Sequence, residues 1–204
     1  GRLRERDLAQ ARDRLGKWRG ESASEFNAGE IARVAIEQGL IASHRHVFGT
    51  VLWFVALGPA GAVLYRASAV LADGWGKRAD PEYGEFGRFA ARAFHWLDWL
   101  PARATAASFA IVGDFEDAIY CWRTQAAAWA TPSHGILLAS GGGALGVRLG
   151  DTLHQHGSLQ FRPELGIGDE ADTDFMQSAI GLIWRALVLW MFLILLVSLA
   201  HALG

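Results

Sequence analysis

Ala186 to Gly204 reads ALVLWMFLILLVSLAHALG, nineteen residues without a charged side chain. At about 1.5 Å per residue such a helix reaches about 28 Å, close to the roughly 30 Å hydrocarbon thickness of a bilayer. A core helix of a soluble domain usually keeps a polar edge. This one keeps none, so the segment is expected to span a membrane, and the rest of the chain is read around it.

Working back toward the N-terminus, Arg162 to Phe175 (RPELGIGDEADTDF) reads as an acidic loop leading into the span, with Asp174 or Ser178 as its N-cap and Arg185 at its cytoplasmic end. A second apolar run, Val47 to Tyr65 (VFGTVLWFVALGPAGAVLY), also lacks charge, but Gly58-Pro59-Ala60-Gly61 interrupts it and Arg66 closes it. Proline removes a backbone hydrogen bond from a helix interior. Lys and Arg on both flanks favour the cytoplasm. The run is therefore either a kinked span, balanced by a further crossing, or a re-entrant hairpin turning at the break, its freed backbone groups satisfied by protein or water.

The 204-residue chain carries a formal charge of -2, which gives no reason to expect a nucleic-acid partner. The single cysteine, Cys121, excludes an internal disulfide. The opening GRLRERDLAQARDRL has no initiator Met and no apolar core of a signal peptide, so further membrane segments are expected ahead of it. Leu8, Ala11, Leu15 and Trp18 recur at helical spacing up to Gly20, and NAGEIARVAIEQGL offers Asn27 and Glu30 as a capping box for a second amphipathic helix. The spacing predicts a loop over Asp73 to Gly87, a helix from Arg88 to Trp99, a new helix opened by Pro101, and another from Asp114. No alternating strand pattern stands out. The expected class is all-α: a polytopic helical membrane protein with cytosolic or interfacial amphipathic helices over residues 1–46, and a membrane domain over 47–204 made of the broken segment 47–65, a helical loop region 66–185 and the span 186–204.

Arginines beside apolar runs are costly unless paired or snorkelling. Arg66, Arg103 and Arg148 are thus candidate anion ligands, with Glu37, Asp98 and Asp151 as candidate acidic partners. SGGGALGVRLG lacks the features of a nucleotide loop; Gly142, Gly146 and Gly150 at four-residue intervals instead predict one helix face cleared for a neighbour, such as another membrane protein. His44-Arg45-His46 and His154-Gln155-His156 lack further ligands, so solvated histidines are expected and no metal site is assigned. No nucleophile has an evident base.

FGTVLWFVALGPAGAVLYRA, LDWLPARATA and GALGVRLG, in this order and spacing, resemble the CobD/CbiB family of integral membrane proteins. In its synthase branch the resemblance implies an ATP-dependent, Mg²⁺-requiring joining of cobyric acid to an aminopropanol (phosphate). Glu37, Gly58, Gly61, Tyr65, Arg66, Pro101, Ala102, Arg103, Gly143, Gly146 and Gly150 match that branch's recurring positions. Departures fall on its acidic ones: Ile41-Ala42 and Arg45-His46, the run Ala69 to Ala72, Phe94-His95, and Thr131 to Gly135. Mg²⁺ takes oxygen ligands, commonly carboxylates, so their loss argues against the chemistry in its usual form. The wording LWFVALGPAGAVLYR is similar to the AmpE branch, which implies an inner-membrane regulatory or accessory role in β-lactamase induction and cell-wall signalling. That role is the expectation here. The alternative is a synthase using Asp73, Asp98 or the 169–174 acids for its metal.

Overall fold

The computed structural model describes residues 2–75 and 84–203; most of the expected loop over Asp73 to Gly87 lies outside them. Helix α1 (Arg2–Arg19) ends at Gly20, and α2 (Ala28–Ser43) starts where the sequence places it. The Asn27 side chain accepts from the Glu30 N–H at 2.8 Å while the Glu30 carboxylate accepts from the Asn27 N–H at 2.8 Å. These are the donors a helix start otherwise leaves orphaned. Leu15 packs on Phe26, Ile31, Val34 and Leu153, so α1 is fixed by one apolar stripe.

From Ser43 the helix continues through a single wide π turn, His44–Phe48, into α3 (Gly49–Leu57). Gly58, at φ 68° and ψ -158°, then reverses the chain into α4 (Pro59–Trp75). That backbone region is essentially reserved for glycine, and Pro59 takes the helix-opening position where its missing N–H costs nothing. A Cβ on Gly61 would overlap the backbone carbonyl of Trp53, and one on Gly49 would overlap the Tyr65 ring. The broken segment 47–65 is therefore an antiparallel helical hairpin rather than a kinked rod.

Helix α5 (Gly84–Val112) runs uninterrupted through Pro101, where the sequence predicts two helices. Proline at 101 cannot donate to the carbonyl of Leu97; the Trp53 indole N–H donates to it instead, at 3.0 Å. This satisfies the freed acceptor and pins α3 to α5. Helix α6 (Phe115–Gln125) is capped by Asp114, and α7 (Pro132–Leu145) follows a short 3₁₀ turn.

The all-α expectation needs correction after α7. Gly146, in the left-handed region at φ 67°, ends that helix, and the chain forms five short strands: β1 (Val147–Gly150), β2 (Leu153–Gln155), β3 (Ser158–Gln160), β4 (Glu164–Gly166) and β5 (Asp169–Glu170). β1 lies between antiparallel β4 and parallel β5, while β2 and β3 form a hairpin turning at His156-Gly157. Positive φ at both turn residues suits the strand twist.

Helix α8 (Thr173–Leu203) is capped by Asp172, whose carboxylate accepts from the N–H groups of Asp174 and Phe175, rather than by Asp174 or Ser178. The main core joins α2, α5, α6, α7, β1, β4 and the start of α8. The Trp190 indole N–H donates to the Ser108 hydroxyl at 2.6 Å, tying α8 to α5. Among the described residues two helical stretches, Ala28–Leu57 and Thr173–Leu203, are long and apolar enough to cross a membrane by length and composition. Most of the second is unburied.

Candidate functional site

The π turn widens the helix by one residue and swings His44 inward. On α5, Asp98 and Thr105 lie seven residues apart and so share a face. The His44 ring fills the gap between them. Its Nδ1 lies 2.9 Å from the Thr105 hydroxyl and its Nε2 lies 2.8 Å from Asp98 Oδ1. Thr105 donates its own proton to the carbonyl of Pro101 at 2.9 Å, which leaves its oxygen to accept from His44. Tyr65, from α4, donates to the same Asp98 oxygen at 2.7 Å. Ser133, in the first turn of α7, lies close enough to that carboxylate to help hold its pKa down. All five side chains are buried, so four helical segments meet at one hydrogen-bonded carboxylate.

Burial alone would raise the Asp98 pKa, but the hydrogen bond and charge of His44, with the hydroxyls of Tyr65 and Ser133, outweigh it and hold the group at about 2. Next to it, burial pushes His134 down to about 4, with Arg45 adding to the effect. His134 is therefore a neutral imidazole at neutral pH, in surroundings that oppose its protonation. Arg45 pairs with Asp73 and lies over the Phe94 ring at 5.3 Å. Thr131 supplies no side-chain cap to α7, which Pro132 opens, and the Gly135 N–H donates to the Thr131 carbonyl at 2.9 Å. The arrangement provides a fixed carboxylate, a neutral imidazole and cationic groups in one place.

These donors do not make a magnesium site. Asp98 is engaged by His44 and Tyr65, Asp73 by Arg45, and Asp172 caps α8. Among the described residues no three of His, Cys, Asp or Glu converge as a metal ion requires. The acids named as relocated ligands, Asp73, Asp98 and the 169–174 group, are dispersed over α4, α5 and the approach to α8.

Arg66, Arg103 and Arg148 do not converge either. Arg66 donates to the carbonyl of Arg45 at 3.4 Å, Arg103 stacks over Trp99 at 4.0 Å, and Arg148 faces Glu170 at 3.7 Å. Nor do the three acids pair with them. Glu37 is clamped by Arg162 at 2.7 and 3.1 Å and accepts from the Gly150 N–H at 2.8 Å; Asp98 pairs with His44; Asp151 faces Arg33 at 3.5 Å. Gly142, Gly146 and Gly150 do not share a helix face, because α7 stops at Leu145. Only Gly142 lies in the helix, against Gly166 and Val147; Gly150 belongs to β1, where a Cβ would overlap the carbonyl of Pro163.

Sequence reasoning missed His44, Tyr65, Thr105 and Ser133 as partners in one network. The available signal was the seven-residue spacing of Asp98 and Thr105 around Pro101-Ala102-Arg103.

The model of the family described as "CobD/Cbib protein" matches residues 1–183. The chain belongs to the CobD/CbiB family. A Stutzerimonas stutzeri relative named cobalamin biosynthesis protein CobD is 38% identical over 189 residues, covering 93% of this chain and 62% of the relative. A Chromobacterium violaceum protein of the same name is 39% identical over 188 residues, covering 92% and 60%, and one from Mycobacterium tuberculosis is 33% identical over 167 residues, covering 79% and 53%. The chain thus spans about three fifths of the length of the first two. No solved structure matches. The relatives' names overturn the AmpE-like regulatory expectation: the losses at Arg45, Phe94 and His95 that favoured it coexist with strong similarity to proteins named for cobalamin biosynthesis.

Proposed function

We propose that this CobD/CbiB chain acts in cobalamin biosynthesis at a bacterial inner membrane, as part of a multi-pass protein that joins an amine-bearing aminopropanol group to a corrinoid carboxyl. The observation that carries this reading is the buried carboxylate of Asp98, held by His44 and Tyr65 three residues before the Pro-Ala-Arg stretch that resembles the family's own. Amide formation needs the carboxylate oxygen converted into a leaving group, which ATP supplies by phosphoryl transfer so that phosphate departs with that oxygen, and it needs the amine as its free base. His134, kept neutral by burial and by the charge of Arg45, is placed to accept a hydrogen bond from the amine rather than to carry its proton. His44 and Asp98 position it by locking α2, α4 and α5 together beside α7. ATP is the co-substrate the family resemblance implies; the described residues do not assemble a magnesium site, and no step is assigned to the metal.

The test is complementation. The full-length protein carrying this chain should restore cobalamin-dependent growth to a bacterium lacking adenosylcobinamide-phosphate synthase, and the Asp98→Ala variant, expressed at equal membrane abundance, should not. Full rescue by that variant would overturn the assignment of the site, and absence of rescue by the unaltered protein would overturn the activity.

A further inference from the structure

The outer face of the α3–α4 hairpin carries features that the His44–Asp98 network does not use. Val63, Ala67, Val70 and Leu71 floor a groove of about 630 Å³ whose polar groups are Thr50 and Arg66. At the tip Phe54, Leu57, Val63 and Leu64 are each about half exposed or more, at 52%, 56%, 68% and 49%. An apolar knob of this size in water would be an aggregation or interaction surface. The antiparallel pairing of Gly49 with Tyr65 and of Trp53 with Gly61 sets Arg45 and His46 at the same level as Arg66, away from the tip. His46 lies within electrostatic reach of both arginines, and the nearby acid, Asp73, is already paired with Arg45. Among the described residues Arg66 makes one long hydrogen bond, to the Arg45 carbonyl that Thr50 also reaches.

Arg66 is therefore set in an apolar face that runs to the tip on one side and to the exposed Val70 and Leu71 on the other. From Arg66 to Pro59 is about 10 Å of helix, less than the roughly 15 Å half-thickness of the hydrocarbon core. The chain that precedes the hairpin does not continue the apolar surface: Glu30 and Glu37 of α2 are buried and bonded to the 147–170 segment. We propose that the α3–α4 hairpin enters a single leaflet and returns, and that the groove at Arg66 holds one anionic phospholipid, its phosphate on the guanidinium and an acyl chain along Val63 toward the tip. The hairpin's outer face carries this inference independently of the activity proposed above.

The test uses the full-length protein in detergent micelles, titrated with phosphatidylglycerol, phosphatidylcholine or inorganic phosphate and read by native mass spectrometry. Phosphatidylglycerol should be retained in preference to phosphatidylcholine. Arg66→Gln should weaken it about tenfold, the scale of one charge-assisted hydrogen bond; Arg66→Lys should keep most of the binding, and an excess of inorganic phosphate should not displace the lipid. Val63→Asn, at an exposed position that leaves the charges in place, should weaken binding as well and serves if Arg66→Gln fails to fold. Equal binding of the two lipids, an unchanged affinity in Val63→Asn, or displacement by inorganic phosphate would overturn the proposal. Lipid binding lost while complementation persists would separate this site from the activity.

Discussion

A single carboxylate concentrates the electrostatics of this protein. Asp98 sits at about 2 against an ordinary 3.8, so its interactions stabilise the fold above pH 4 and are lost as pH falls toward 2, a contribution of about 2 kcal/mol. His134 works in another window: held near 4 against an ordinary 6.5, it contributes stability above pH 6.5 that fades as pH falls toward 4, where the folded site must accept a charge. Thermal unfolding in detergent between pH 2 and 7 should therefore show two separable losses. Asp98→Asn should remove the lower one and His134→Gln the upper one; a variant that removes both, or neither, would show the groups are not set as described. Tyr65→Phe deletes one hydrogen bond to a charged acceptor and should cost about 1.5–3 kcal/mol, with Asp98 shifted upward.

At the scale of elements, the sequence makes the starts of helices plain and their continuations obscure. Asn27 with Glu30, Asp114, and Gly20 as a stop are local signals, each acting within one turn, and they place α1, α2 and α6. Pro101 misleads because its compensation comes from Trp53, forty-eight positions away in sequence. The strands between Val147 and Glu170 are two to four residues long, too short for an alternating pattern to register. The site was legible only as Asp98 and its Pro-Ala-Arg neighbour; His44 was hidden by two flanking polar residues and by a π turn that no local pattern announces. The Trp53 bond yields a direct test. Trp53→Phe should cost about 1–3 kcal/mol, the penalty of an orphaned buried acceptor. In a Pro101→Ala background residue 101 donates to Leu97 itself, so the same substitution should cost less, and a double-mutant cycle on unfolding should give a coupling of about 1 kcal/mol. A coupling of zero would show that the indole contributes packing alone.

Among the long-range ties of the described residues, one buried ion-pair clamp joins α2 to the strand segment. Glu37, buried in α2, accepts from both ends of the Arg162 guanidinium and from the Gly150 N–H, while Arg162 also donates to the Gly150 carbonyl and lies 5.4 Å from the centre of the Trp129 ring. These contacts fasten the strand segment to the helical body that carries the His44 network, whereas Arg148 reaches only the exposed Glu170. Removing one partner of a buried pair strands the other, at about 3–5 kcal/mol; removing an exposed pair changes about 1 kcal/mol or less. Arg162→Ala should therefore loosen residues 147–170 as a unit, read as faster chymotryptic cutting at the exposed Phe161 and faster amide exchange in β1 and β4, while Arg148→Ala leaves both unchanged. If α2 transmits that loosening to His44, seven residues beyond Glu37 on the same continuous helix, the pH-dependent losses assigned to Asp98 and His134 should also shift in Arg162→Ala. If they hold still while the strands open, the clamp serves the strand segment alone and the site is supported by α4, α5 and α7.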